Sequence, residues 1–543
     1  MSYRAAVIGA GHQGLVAGIT LAAAGCEVVV LEAERQPGGG VRTDELTLPG
    51  FRHDSCSGFF PLTAASPVFR QLELELQWIN PASAMVHVLD EGGEEIALDR
   101  DLAATVASLD ACAPGAGYGW QQLIGSLWPH RQALIDAVLA PLPAVRSWAA
   151  ALARLRSQVV ELAPLALASS ATMGRQLFAD ERAAAWLAAS GAHADLSPLA
   201  AGSGAFSLGL NFLAHAVGWP FPRGGAGALT DALVRRLRYH GGELRCGANV
   251  REIELRAGNV SGVRVGADER IAADGVVATV SPAPLLELLP PAALPGRLER
   301  RLRRWRYGLG TLKLDYALSA PVPWRSPAAR NAAVVHVGGP LQDIIASLEQ
   351  ACSGLVPQRP TLVVGQQSLH DESRAPAGQH TLYVYARVPQ RPKLHARERT
   401  GDDRQVMAEA VERQLERFAP GVSALVLARS LRGPREIEAE NQSMRGGDLA
   451  SGSCEPDQQL VFRPAPALCR GRTPIGGLYV AGAWVHPGPG VHGVSGHAAA
   501  RALLREARLR GRLRFPQRTL LRASGRSRLR FNASGRRTRS SFR

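Results

Sequence analysis

The chain has 543 residues, of which 46% are hydrophobic and 20% charged, so it is long and apolar enough for two closely packed domains and is not a disordered polymer. Its net charge of +15 looks like a nucleic-acid signal, but residues 501–543 carry 15 Arg against the single acid Glu506, and that stretch alone accounts for +14. The remaining body is close to neutral, which removes the electrostatic case for DNA or RNA binding by the fold.

The first predicted element is a strand, helix, strand unit, AAVIGAGHQGLVAGITLAAAGCEVVVLE, with Gly9, Gly11 and Gly14 between an apolar run and an amphipathic segment. The three glycines of a dinucleotide-binding turn serve different ends. Gly9 makes the tight turn, Gly11 lets the backbone approach a pyrophosphate, and Gly14 lets the helix pack on the strand. The helix N-terminus offers N–H groups and a positive dipole end to the phosphates. Glu32, at the end of the second strand, suits a pair of ribose hydroxyls. The polar His12 and Gln13 and the glycine spacing argue against a secretory signal, so a cytoplasmic start is expected.

Directly behind Glu32 comes PGGGVRT, where Gly38, Gly39 and Gly40 lead through Arg42 to Thr43. A nicotinamide domain has no need of a second glycine turn here, whereas a flavoprotein uses one to bring bare backbone to the pyrophosphate and ribityl chain. From Ser66 to Ala214 long Ala- and Leu-rich stretches predict helices broken at Pro141, Pro143 and Pro164. None holds the roughly 18 unbroken apolar residues a bilayer span needs.

At PRGGAGALTDAL a glycine turn opens a helix from about Leu229 to His240, followed by alternating strands through Val250–Val265 and the buried strand of ADGVVATVSP. GLGTLKLDYAL, NAAVVHV, TLVVGQQ and HTLYVYARV then alternate as strands of a second, partly antiparallel sheet. After the helix in DDRQVMAEAVERQLERFAPG comes PIGGLYVAGAWVHPGPGVHGVSGHAAARALL, a strand over Leu478–Ala481, a glycine loop, and a helix beginning near Val494. Gly488, Gly490 and Gly493 also fit GxGxxG, yet no acidic strand end follows. A second helix N-terminus aimed at the same cofactor explains this better than a second nucleotide site. Seven scattered cysteines without a C-x-x-C pair predict reduced thiols, and no His spacing predicts a metal site.

GAGHQGLVAG, PGGGVRTDE, PRGGAGALTDAL, the VSP after VVAT, FRPAP and the closing glycine block together resemble the phytoene-dehydrogenase-related FAD-dependent oxidoreductases. These belong to the superfamily that also contains amine oxidases and the Rab GDP-dissociation inhibitors. The resemblance spans about Arg4 to Arg508, with Gly40 where carotene desaturases and amine oxidases usually carry Arg. It implies an α/β fold with a discontinuous, doubly wound (Rossmann-like) FAD-binding domain over 1–65, 215–285 and 436–508. A substrate domain of mixed sheet plus helices is interleaved over 66–214 and 286–435, and 509–543 forms a basic disordered tail.

The implied cofactor is FAD. Gly9, Gly11 and Gly14 lie at its pyrophosphate, Glu32 at the ribose, and Gly38, Gly39 and Thr43 beside the ribityl chain; Gly482, Gly490 and Val491 approach the flavin. Val250 is either an adenine-side backbone contact or a plain core residue. Since the cofactor accepts the hydride, the protein's share is positioning, water exclusion and tuning of the ring. Lys313 stands where the amine oxidases hold a water near the flavin with a lysine. Strand alternation alone would make it a surface lysine on a sheet edge. His486 and His492 are candidate donors to the ring or substrate, Trp484 a candidate pocket wall, and Asn441 with Gly446, Gly447 and Asp448 a candidate substrate-side loop; each has an equally ordinary structural reading. The expected substrate is small and largely apolar, of the polyene kind, with oxygen or a quinone as electron acceptor and peripheral membrane contact as a possible setting. An amine oxidase and a non-catalytic lipid carrier are the rival readings.

Overall fold

The computed structural model describes residues 3–156, 158–393 and 402–511; the basic tail beyond Gly511 lies outside the described residues. Five strands form an all-parallel sheet in the spatial order Leu478–Val480, Gly275–Ala278, Arg4–Ile8, Glu27–Leu31, Glu243–Arg245. Alternation of side chains along each strand decides what covers it. Val7, Val28, Val30 and Val277 face the helices His12–Ala22, Ala226–Tyr239 and Val494–Leu509, while Ala6, Ile8, Val276 and Val480 face a three-stranded meander over 250–272. Both faces are therefore dry, which is why these strands read as continuous apolar runs.

The second sheet has seven strands, in the order Val426–Arg432, Gly310–Leu318, His380–Val388, Leu362–Gly365, Val334–Val337, Ser83–Val88, Glu95–Asp99. One face, carrying Leu312, Leu314, Val384, Val364 and Val335, is covered by the amphipathic helix Asp403–Phe418. The opposite face is polar and aromatic. A single register line crosses it through Arg432, Lys313, Tyr385, Val363, His336 and His87.

Three expectations need correction. The stretch Ser66–Ala214 is not wholly helical, because Ser83–Val88 and Glu95–Asp99 form a hairpin that joins the large sheet. Pro164 does not break a helix but lies inside Gln158–Leu167; the hydrogen bond it forfeits is one among a turn of others. Lys313 is no edge lysine: its strand is paired on both sides, and the residue is only 2% exposed. The closing helix starts at Val494 as its sequence predicts, and extends one residue into the segment assigned to the tail, ending at Leu509.

Candidate functional site

The first glycine turn is shaped by contacts that admit no side chain. Gly9 has φ +94°, and a Cβ there would lie 2.6 Å from the Thr279 hydroxyl. A Cβ on Gly14 would sit 1.9 Å from the carbonyl oxygen of Gly9, so the helix touches the turn that precedes it. Gly11 differs, since a Cβ there meets nothing nearer than the Gly38 carbonyl at 4.0 Å. The helix His12–Ala22 starts at Gly11 with no side-chain cap and no acid in its first turn. Open space in front of uncapped N–H groups is what a pyrophosphate requires.

Glu32 lies one residue beyond the second strand, where Ala10 N–H donates to its Oε2 (2.7 Å) and Glu34 N–H to its Oε1 (3.1 Å). Burial raises its pKa while these two donors hold it down. Each oxygen keeps a lone pair for a ribose hydroxyl. Val250 is 6% exposed, a core side chain; two residues before it, Ala248 N–H donates to the Glu32 carbonyl at 2.7 Å, so its backbone runs past the same place.

The second glycine turn lies on the first: Gly38 N–H donates to the Ala10 carbonyl at 2.9 Å, and Gly38 bridges Gly11. A Cβ on Gly39 would lie 3.4 Å from Gly11 Cα and 3.7 Å from the Asn441 amide nitrogen, which brings Asn441 to this turn. Thr43 spends its hydroxyl on protein partners, donating to Asp54 Oδ1 (2.7 Å) and accepting from Gly227 N–H (2.9 Å). Asp54 also accepts from Ala226 N–H at 2.8 Å and pairs through both oxygens with the buried Arg374. The PRGG turn is thereby fixed against the second glycine turn.

The C-terminal glycine loop reaches the same place from the far end of the chain. Gln13 Oε1 accepts from Gly496 N–H at 2.9 Å, and Gln13 Nε2 lies 3.4 Å from His492 Nδ1. Close approach is again required, since a Cβ on Gly496 would be 2.0 Å from the Gln13 carbonyl oxygen. His492 Nε2 faces the Gly488 carbonyl at 3.0 Å, so it carries the proton, and Nδ1 accepts from Val494 N–H at 3.0 Å. Both ring nitrogens are engaged with the protein, and burial holds the ring neutral with a pKa of about 4. His492 thus caps the closing helix, which leaves neither nitrogen to serve as a donor to ring or substrate.

His486 donates from Nε2 to the Ala140 carbonyl at 3.1 Å, tying the loop to the helical region, while its buried Nδ1 has no partner. Thr63 donates to the Val491 carbonyl (2.5 Å) and Ser66 to that of His492 (2.6 Å); a Cβ on Gly490 would collide with Leu62 at 2.3 Å. Ser495 bonds both the N–H and the carbonyl of Gly482 at 3.1 Å. Trp484 packs in the core with Ile8, Val480 and Trp305. Asp448, fully buried, accepts N–H groups of Gly308, Ala450 and Gly452, while Gly446 N–H goes to Glu438, so this loop clamps itself.

Lys313 projects from the polar face of the large sheet. Its ammonium pairs with Asp315 and lies 3.7 Å from the centroid of the Tyr383 ring. Burial pulls its pKa down to about 8, against the attraction of Asp315. The other oxygen of Asp315 lies 3.3 Å from Arg432. Tyr383 donates to the Cys56 carbonyl, and the next residue, Ser57, donates its N–H to the Gly40 carbonyl at 2.9 Å. Two short links therefore join the lysine to the second glycine turn.

These residues fit a flavin dinucleotide: uncapped helix donors for phosphate, a carboxylate for ribose, bare backbone at the second turn, and an unpartnered buried His12 Nε2 beside the C-terminal loop. Sequence reasoning missed Gln13, Asp54, Asp315, Tyr383 and Arg374. Gln13, Asp315 and Tyr383 sit within segments it did single out, whereas Asp54 lies nine residues past PGGGVRTDE and Arg374 carries no local signal. Among the described residues no group of His, Cys, Asp and Glu is disposed to hold a metal, and no helix is long and apolar enough to cross a membrane.

Comparison with known proteins places this geometry. Residues 14–504 match the flavin containing amine oxidoreductase family. The chain is 28% identical to pyridine nucleotide-disulfide oxidoreductase domain-containing protein 2 of Rattus norvegicus, over 93% of this chain and 94% of that one. It is 28% identical to a zeta-carotene-forming phytoene desaturase of Myxococcus xanthus, over 72% and 73% of the two chains. In structure it resembles an oxidoreductase from Methanosarcina mazei, with a TM-score of 0.62 at 16% identity, covering 92% of this chain and all of that one.

Proposed function

Because the chain belongs to the flavin-containing amine oxidoreductase family and is a flavin-dependent oxidoreductase, we propose that its flavin is FAD and that it dehydrogenates a largely apolar substrate of the polyene kind. When bound, the flavin supplies the hydride acceptor. Gly9, Gly11, Gly14 and Glu32 hold the adenosine diphosphate end, Gly38 and Gly39 border the ribityl chain, and Gly482, Gly490 and Val491 back the ring. Lys313 is the tuning group, holding a water or the substrate by hydrogen bond.

The observation that carries the apolar reading is the charge of the Lys313 cluster. Asp315, the acid closest to the lysine, is occupied by Lys313 and Arg432, so an ammonium substrate would meet cations without a free carboxylate. The likeness to a phytoene desaturase supports the same choice. Oxygen or a quinone takes the electrons. Contact with a membrane surface suits such molecules, and the run Leu460, Val461, Phe462, exposed at 52%, 42% and 46%, supports it. Arg301, on the arginine-rich helix Gly296–Arg303, donates to the Phe462 carbonyl at 3.3 Å beside that run.

The test is anaerobic bleaching of the purified yellow protein by phytoene in detergent micelles, by a primary diamine and by a saturated fatty acyl ester, each alone. The reading expects bleaching by the polyene. Bleaching by the diamine alone would replace it with an amine oxidase, and a colourless protein that FAD cannot reconstitute would replace it with a carrier.

A further inference from the structure

Beyond its first turn, the closing helix Val494–Leu509 lines a cavity of about 500 Å³ that the site described above does not use. The helix contributes His497, Arg501 and Arg505, which recur every four positions and so form one stripe along it. Arg470, Gln71 and the turn at Pro141 supply the remaining polar and structural walls. That turn is tied down next to the cavity, because His486 donates to the Ala140 carbonyl at 3.1 Å. No residue lining the cavity is acidic.

Three guanidiniums therefore share this cavity without a counter-charge. Arg470, Arg501 and Arg505 make no ion pair and no side-chain hydrogen bond among the described residues. Neighbouring acids are spent elsewhere. Glu506, the one acid on the helix, pairs with Arg510 at 2.7 Å and Arg472 at 3.2 Å and accepts from Tyr479. Asp136, in the helix Arg131–Val138 that leads to the turn, accepts from Gln132 at 2.8 Å and pairs with Arg70 at 3.7 Å. Arg501 and Arg505 are like charges one turn apart, an arrangement that weakens a helix unless something negative lies between them. His497 registers the same field. Thr20 gives its hydroxyl proton to the Val16 carbonyl at 2.7 Å, so at 3.1 Å it accepts from His497 Nδ1, which leaves Nε2 bare. Burial and then Arg501 pull the pKa of His497 to about 4, and no carboxylate opposes them. The chain that follows offers no remedy, since residues 512–543 contain no acidic side chain.

We propose that this cavity binds a phosphate group carrying two negative charges, borne by a soluble phosphate ester or by the headgroup of a phosphatidic acid. A terminal phosphate presents three oxygens, one for each guanidinium fork, and its double charge answers the three cations better than the single charge and two oxygens of a carboxylate. The Gln71 amide adds a neutral donor. The same double charge favours protonation of His497, which turns Nε2 into a further donor. Val138 and Val145, exposed at 51% and 69% on either side of the Pro141 turn, suit the lipid source, while the volume of the cavity suits a soluble ester. The site stands independently of the flavin reading.

The test is titration calorimetry of the full-length chain with inorganic phosphate and, in a second arm, flotation with phosphatidylcholine vesicles that contain or lack phosphatidic acid. Arg501→Gln with Arg505→Gln is compared with Arg256→Gln with Arg413→Gln, two exposed arginines on other elements whose loss lowers the net charge equally. The arginines of 512–543 are common to both variants, so only the difference between them reads the cavity. The first pair should weaken binding about tenfold or more, and the second should leave it within about twofold of the parent. Loss in the phosphate arm shows that the phosphate group alone suffices, and loss confined to the vesicles with phosphatidic acid assigns the lipid. Without ligand the first variant should melt no lower than the parent, since it removes a repulsion; if it does not fold, Arg470→Gln on the loop reads the same loss. Equal effects of the two pairs, or no binding by the parent in either arm, overturn the site.

Discussion

Lys313 shows how one residue's meaning depends on what the fold puts around it. Its folded pKa of about 8 lies below the ordinary 10.5, so between those values the unfolded chain binds more protons and stability rises with pH. The rise amounts to on the order of 3 kcal/mol. Lys313→Met should lack it, as read by denaturant midpoints measured from pH 7 to 10.5; equal slopes would show that the lysine is solvated. At Gly14 the prediction runs against helix propensity. Alanine is the better helix former, but with the Gly9 carbonyl 1.9 Å from the added methyl, Gly14→Ala should cost about 2 kcal/mol or more and release the flavin, seen by calorimetry and absorbance. Gly14 was legible because its constraint is local, a helix against its own preceding strand. Gln13 was not, because the N–H it satisfies belongs to Gly496, 483 residues away.

Among the elements, the closing helix depends on that contact. Gln13→Ala leaves Gly496 N–H buried and His492 without its second donor, for a cost of about 1–3 kcal/mol. Faster amide exchange at Gly496 and Ser495 would register it; exchange unchanged from the parent would show the helix start to be held otherwise. The sequence placed this helix and four of the five parallel strands, since turn glycines and apolar runs punctuate them, and passed over the short edge strand Glu243–Arg245. It missed the hairpin of Ser83–Val88 and Glu95–Asp99, which lies among helices. Its first strand is buried at five consecutive positions, from Ala84 to Val88, so the alternation that marks a half-exposed strand is weakened.

For the molecule as a whole, a buried ion pair joins segments far apart in sequence. Asp54 receives Arg374, Thr43 and the N–H of Ala226 at once, so Asp54→Asn removes the charge that all three address. Breaking such a buried pair costs about 3–5 kcal/mol. The loss should appear both as a lower denaturant midpoint and as weaker flavin retention on gel filtration, whereas a loss of stability with flavin binding intact would separate this cluster from the cofactor site. The order of the segments was readable from their motifs. The register line from Arg432 to His87 was not, since it draws one residue from each of six strands and no stretch of sequence contains it.

The convergence of both glycine turns on one cofactor is tested most directly by the visible spectrum of the purified full-length chain, followed by heat release and mass identification of what it held. The account predicts flavin absorbance, bleached by dithionite, and one FAD released per chain. A chain that is colourless, stays so after incubation with FAD, and yields no flavin on denaturation would contradict it.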